Sequence, residues 1–490
     1  MGRVSTQSGP SIPSFLLIIV TIAVLLVLIV PIGEAPSPCL AAEEGGEAAA
    51  AAADRDKPAV RFRGHLRADF SQYTYTGIGG SNWHAGMRCD LKSTSFLAEG
   101  LGMETDFRYR HYNSQWRSSL KSLYELAVFY RSPDHGHGGQ GRSGQERDGQ
   151  KVSQGRRQER DGQGIYLKVG RFNLYDLSGV GELDGGAAGW CFSKNFLAGL
   201  YLGCEPNLAE IKTDSHYQKA GLFLNCQRPG GLRALFSCNQ IRFQGLTERT
   251  FLYGQAFLPL WKRVYSYQHI EYELGPLVGK SHLTRFFINT RLDVTQSISM
   301  TGSYYYGQGY DYHRMILENI KSGQTPSTGD LEPFYWYQNL GLRASLRLSQ
   351  RQRIAGYASI VQKKVDGDLL PRYGGSYFID GLLGDRAGGG IRLTRTMESQ
   401  TVRNMLSVEV NGEINERLTV GLNYSNYTFE FVEKESTIIS PPDSNEYNLN
   451  FQARINRQIS LYGYIQYTVE NDHTGDGNCW QDYLSLVYRL

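Results

Sequence analysis

Residues 447–469 read YNLNFQARINRQISLYGYIQYTV. In the first arm Tyr447, Leu449, Phe451, Ala453 and Ile455 alternate with Asn448, Asn450, Gln452 and Arg454. After the polar turn Asn456-Arg457-Gln458 the alternation resumes at Ile459 and Leu461 and then, past Gly463, at Ile465, Tyr467 and Val469. A period of two belongs to a strand, because a helix needs apolar residues three and four apart. Two such runs around a short polar reversal predict a β-hairpin. Each arm has about the 9–11 residues that a tilted strand needs to cross a bilayer. The chain then ends DYLSLVYRL, with Leu484, Leu486, Tyr488 and Leu490 on one face, so its last residue belongs to a strand.

Apolar residues at every second position counted back from the C-terminus resemble the closing strand of bacterial outer-membrane β-barrels. Those usually finish in Phe or Trp, where this chain has Leu490. The resemblance implies an all-β, transmembrane, antiparallel up-and-down β-barrel, seated in the lipid bilayer of the outer membrane by the barrel-assembly machinery. Taken alone, the hairpin would also suit the edge of a soluble sandwich, so the rest of the chain has to decide.

Composition favours the barrel. The 490 residues include 32 Tyr, 21 Phe and 56 Gly, and the mean hydropathy is −0.39. Barrel strands alternate lipid-facing apolar residues with polar lumen residues, which keeps the average hydrophilic. A formal net charge of +3 gives no reason to invoke nucleic acid. The one continuously apolar run, Phe15–Val30, is stopped by Pro31 and followed by small residues near Ala41 and Ala42. Residues 1–42 therefore read as a signal peptide for Sec-type export, with an uncleaved anchor as the rival reading. Cys39 follows Pro36-Ser37-Pro38, which is not a lipidation motif. Residues 43–59 read as a flexible Ala-rich lead-in and residues 60–490 as the barrel.

Alternation begins at Val60 and recurs along the chain. Four hairpins share one pattern, turning at Val294–Ile298, Leu348–Ile354, Ile414–Leu418 and Ile455–Ile459. Between them lie longer links, at Gly307–Pro333, Gln362–Arg403 and Phe431–Glu446, rich in Gly, Asp, Ser and Pro. Short turns at one end and long loops at the other are the pattern of outer-membrane barrels. Counting back from Leu490 predicts about 20 strands, within roughly 16 to 22. Leu120–Arg131 fits a short helix almost as well as a strand and is assigned to a strand by context. Residues 132–163 have no apolar period and repeat QERDGQ, a low-complexity insertion. The strand count puts this insertion at the short-turn end, where long links are unusual. His135 and His137 within it do not amount to a metal site.

The string from Ile165 to Gly189, IYLKVGRFNLYDLSGVGELDGGAAG, resembles a pattern in some porin-like barrels, in which a strand leads into a Gly-rich loop ending in Leu-Asp-Gly. That resemblance implies a loop at the pore, with Glu182 and Asp184 near the solute. Ordinary turn chemistry accounts for the same glycines and aspartate. Elsewhere parity assigns Arg291, Asp293, Arg343, Arg347, Glu409, Glu413 and Arg454 to the lumen. An arginine at the bilayer midplane would cost about 2–4 kcal/mol on the lipid side. These charges either line a pore with a weak anion preference or pair with one another to hold the interior together. Tyr304–Tyr306, Phe334–Tyr337, Tyr424 and Tyr427 suit an interfacial aromatic girdle.

No catalytic motif, metal site or cofactor-binding motif stands out, so the chain is expected to be neither an enzyme nor a cofactor carrier. Six cysteines remain after Cys39, and they read as small apolar residues rather than a disulfide framework. The function expected is a porin-like channel for passive diffusion of small hydrophilic solutes or ions. The alternative is a structural sheath around a periplasmic or lumen-inserted partner protein, such as a multihaem cytochrome in trans-outer-membrane electron transfer.

Overall fold

A computed structural model of the chain describes residues 62–75, 80–93, 100–112, 120–131, 164–174, 179–193, 195–207, 212–228, 231–275, 281–309, 335–363, 369–398, 401–431, 443–471 and 477–490. The expected signal peptide, the Ala-rich lead-in and the insertion at 132–163 lie outside these residues.

The first strands in chain order are β1 (Phe62–Tyr75), β2 (Gly80–Ser93), β3 (Leu101–Tyr112), β4 (Leu120–Arg131), β5 (Gly164–Asn173), β6 (Glu182–Ser193), β7 (Phe196–Asn207) and β8 (Lys212–Gln227). Next come β9 (Arg233–Phe243), β10 (Leu246–Trp261), β11 (Val264–Glu273), β12 (His282–Asp293), β13 (Ile298–Gly309), β14 (Tyr335–Arg347), β15 (Gln352–Lys363) and β16 (Leu369–Asp380). The last are β17 (Leu382–Asp385), β18 (Ala387–Met397), β19 (Thr401–Asn415), β20 (Leu418–Phe431), β21 (Asp443–Arg454), β22 (Ile459–Asn471) and β23 (Gly477–Arg489). All but the short β17 join one 22-stranded sheet.

The sheet closes on itself. β1 pairs with β23 from His65 opposite Arg489 to Tyr75 opposite Cys479, and every other barrel strand pairs with its sequence neighbours. The N–H of Leu490 donates to the carbonyl of Gly64 at 3.1 Å, so the last residue completes the seam. This is the expected all-β up-and-down barrel. Its strand number exceeds the expected 20 because the region read as one long link, Gln362–Arg403, contains β16, β17 and β18. Pro371, Gly374, Gly375 and Gly388–Gly390 depress strand propensity there. In the sheet these glycines are useful: a side chain at Gly374 would collide with the Tyr357 ring and the carbonyl of Leu393, and one at Gly390 with the Phe378 ring.

Counting from the seam, the four short hairpin turns all fall at the end that holds Leu490, the short-turn end. β13 and β20 end, and β14 and β21 begin, at the opposite, loop end. The separation is incomplete, because the Gln244-Gly245 turn lies at the loop end. Both residues there have positive φ, 50° and 83°, the left-handed backbone of a two-residue hairpin, which Gly245 adopts without strain. β4 ends and β5 begins at the short-turn end.

The outer face carries an apolar belt around the circumference. Leu66, Leu202, Leu222, Leu342, Leu393, Leu422, Leu449 and Leu484 are all exposed there. A monomer in water rarely exposes so continuous an apolar surface. At the loop end of the belt, Tyr424, Tyr447, Tyr467 and Trp480 follow one another across four strands, with ring centroids 5.2, 6.4 and 4.4 Å apart. Amphipathic rings belong at that depth of a bilayer. Leu342, 53% exposed near the middle of β14, tests the belt. Leu342→Arg should destabilise the barrel in lipid vesicles by about 2–4 kcal/mol, read by urea titration, while Leu342→Ile should cost little.

Candidate functional site

The interior of the barrel differs from one wall to the other. On β2–β11 it is thick and internally paired. Asp106 on β3 accepts from Arg88 at 2.8 Å and from Arg108 at 2.8 Å, and Arg88 also reaches Asp90 at 3.2 Å. Glu104 is held between Lys92 and Lys168, the latter at 2.5 Å, and Lys168 reaches Glu125 at 3.0 Å. Lys219 pairs with Glu205. Arg249 spans Glu271 at 2.6 Å and Glu273 at 2.9 Å. Strand alternation explains this placement: Lys168 lies between exposed Leu167 and Val169, so its side chain turns to the opposite face.

Beside these charges lies an apolar cluster of Tyr166, Phe172, Leu174, Leu183, Ala187, Tyr201 and Phe223. The Tyr201 hydroxyl donates to Asn239 Oδ1 at 2.7 Å, which satisfies the one polar group that the ring brings into the cluster. Val180 packs against the cluster and also against Leu235, Phe251 and Tyr253. Lys219 Nζ donates to the carbonyls of Val180 at 3.3 Å and Glu182 at 3.0 Å. A side chain at Gly179 would collide with the Tyr253 ring, and its φ of +72° favours glycine as well. Gly179 and Val180 therefore add to the packing on this wall.

The GELDG string is largely strand, since β6 begins at Glu182. Asp184 is gripped by Arg171 through two bonds, at 2.6 and 2.5 Å, and Arg171 is only 6% exposed. Thr213 Oγ1 also donates to Asp184, at 2.8 Å. Asp184 is thus committed to the wall, while Glu182 lends its backbone carbonyl to Lys219.

The wall from β12 to β23 has fewer buried side chains, and its inner face carries many Ser, Thr, Asn, Gln and Tyr residues together with Arg343, Arg347 and Arg353, which have no ion-pair partner among the described residues. Four of the seven residues assigned to the lumen by parity come together here. Arg291, Asp293, Arg343 and Arg347 line a concavity of about 560 Å³ at the short-turn end, with Arg263 and Arg353. Arg291 Nε meets Asp293 at 2.8 Å. Glu409 and Glu413 on β19 and Arg454 on β21 lie on other strands, outside that concavity. Sequence reading passed over Arg353, although it alternates with exposed Ile354, and Arg263, which sits in a turn and has no parity to reveal it. It also passed over Glu104, Lys168, Lys219 and Glu271, for which the same parity rule held the signal.

All six described cysteines are unpaired. Among the described residues no group of His, Cys, Asp and Glu is placed to hold a metal ion. No helix among them is long and apolar enough to cross a membrane, which says nothing of crossing by strands.

No family model matches the sequence, and no curated protein matches it. Solved structures do. Pseudomonas aeruginosa OccK11 (OpdR) is similar at a TM-score of 0.40 and 10% identity, over 88% of this chain and 96% of that one. The siderophore receptor PirA of the same organism is similar at a TM-score of 0.45 and 10% identity, over 89% and 81% of the two chains. For Pseudomonas aeruginosa OprD the values are 0.38 and 10%, over 88% and 95%. Likeness at this level bears on neither solute nor mechanism.

Proposed function

We propose that the chain is a porin-like channel of the bacterial outer membrane, through which small hydrophilic solutes and ions diffuse passively. One observation carries the reading: a closed 22-stranded barrel with an apolar belt outside and charged, amide- and hydroxyl-bearing side chains inside. A sheet of this size encloses a lumen wide enough for water even where one wall is thick. The short-turn end would then face the periplasm and the loop end the exterior. Val180 and the apolar cluster it packs on would displace the aqueous path toward the β12–β23 wall. The sheath around a haem-bearing partner draws no support from the comparisons and is not carried further.

Planar-bilayer recording of the refolded full-length chain tests the reading. Stepwise, ohmic conductance in potassium chloride is expected. Absence of conductance over a wide range of protein amounts, with the barrel verified as folded, would reject the open channel.

A further inference from the structure

We propose that the short-turn mouth of the lumen carries a binding site for small, multiply charged oxyanions, built on Arg343 and Arg347 of β14 with Arg353 of β15, Arg291 of β12 and Arg263 of the β10–β11 turn. Charge balance sets this mouth apart from the β2–β11 wall. The cations of the β2–β11 wall that hold that wall together each meet a carboxylate. The concavity on the other wall has five arginines and one acid, and that acid, Asp293, is taken up by Arg291 at 2.8 Å. Arg343, Arg347 and Arg353 have no ion-pair partner among the described residues. Arg347 and Arg353 are directly opposite each other across the β14–β15 pair. Like charges directly opposite are destabilising, so this register is suited to a third, anionic party.

The surroundings fit such a guest. Arg353 stacks over the Phe378 ring at 5.1 Å, which orients the guanidinium. Arg263 is steadied by donating to the carbonyl of Val294 at 3.1 Å. Ser297, Ser299, Thr301 and Ser345 add hydroxyl donors around the same space. Guanidinium forks match carboxylate and phosphate oxygens two at a time, which lysine cannot do. A space of about 560 Å³ accommodates a polycarboxylate or a small phosphate ester. The role of the site in permeation rests on the channel reading, whereas binding itself does not.

Calorimetric titration of the refolded full-length barrel in detergent, at low ionic strength, tests the site with citrate and inorganic pyrophosphate separately. Wild type should bind at least one of them. Arg343→Gln/Arg347→Gln should weaken that binding by about tenfold or more, as loss of two charge-assisted contacts requires, while Arg417→Gln on the β19–β20 turn should leave it unchanged. Binding of pyrophosphate alone assigns a phosphate guest, of citrate alone a polycarboxylate, and of both a site that reads oxyanion charge. If the double variant does not fold by its unboiled gel migration, Arg343→Lys/Arg347→Lys replaces it, with weaker binding again expected because the forks are lost. No heat with either anion at millimolar concentration, or equal affinity in wild type and variant, would overturn the proposal. Binding without conductance would reject the channel and leave the site standing; conductance without binding would do the reverse.

Discussion

A chain lacking residues 482–490 is expected not to form a barrel at all. Those residues supply most of β23's pairing with β1, from His65 to Gln72, and with the first half of β22, from Ile459 to Ile465. Their loss opens two long strand edges at once. In water such edges would be solvated. In hydrocarbon each unsatisfied N–H or C=O costs several kcal/mol, and a dozen or more of them would exceed the net stability of about 5–15 kcal/mol typical of a folded domain. The expected readout is complete loss of the compact, heat-modifiable band on unboiled gels after refolding into lipid vesicles. Leu490→Ala, which keeps the donor to Gly64, should retain that band. A truncated chain migrating like wild type would mean that closure through β23 is not what stabilises the sheet.

That seam was legible in the sequence because alternation survives wherever one face meets lipid. Leu484, Leu486 and Tyr488 announce β23, and Leu66 and Phe70 announce its partner. The lipid face of residues 342–348 was equally plain in Leu342, Leu346 and Leu348, and it fixed the direction of Arg343 and Arg347. What failed at β16 and β18 was propensity: glycines and Pro371 read as loop, while the aromatic rings of Tyr357 and Phe378 that cover two of those glycines are apparent only in the folded sheet. The buried ion pairs were hidden for a different reason. Lys168 meets partners 64 and 43 residues away in sequence, and no local period relates them. Parity shows that Lys168 turns inward; it does not show what it meets. The GELDG string suits a loop as well as a strand, and the Arg171–Asp184 clamp that holds Asp184 in strand β6 depends on registration with β5, which no local pattern shows.

Lys168→Met is expected to destabilise the barrel by about 3–5 kcal/mol, the cost of leaving a buried charge without its partner. Lys168 and Glu104 are only 10% and 12% exposed in their side chains, and Glu125 is 28% exposed. Without the ammonium, two carboxylates from adjacent strands confront each other with only Lys92 on the far side of Glu104. Methionine keeps the length and packing of the side chain, so the loss isolates charge. Glu104→Gln/Glu125→Gln in the same background should restore most of the stability, because removing both sides of a buried ion pair is far less costly than removing one. Urea titration of vesicle-bound protein followed by tryptophan fluorescence reads both changes. Arg343→Gln/Arg347→Gln removes two exposed cations with no ion-pair partner among the described residues, and should shift stability by no more than about 0.5 kcal/mol per site. The same kind of side chain then has opposite consequences in one lumen: on β5 it holds the fold, and on β14 it is left available to a solute. Equal destabilisation by the two sets of variants would contradict that division.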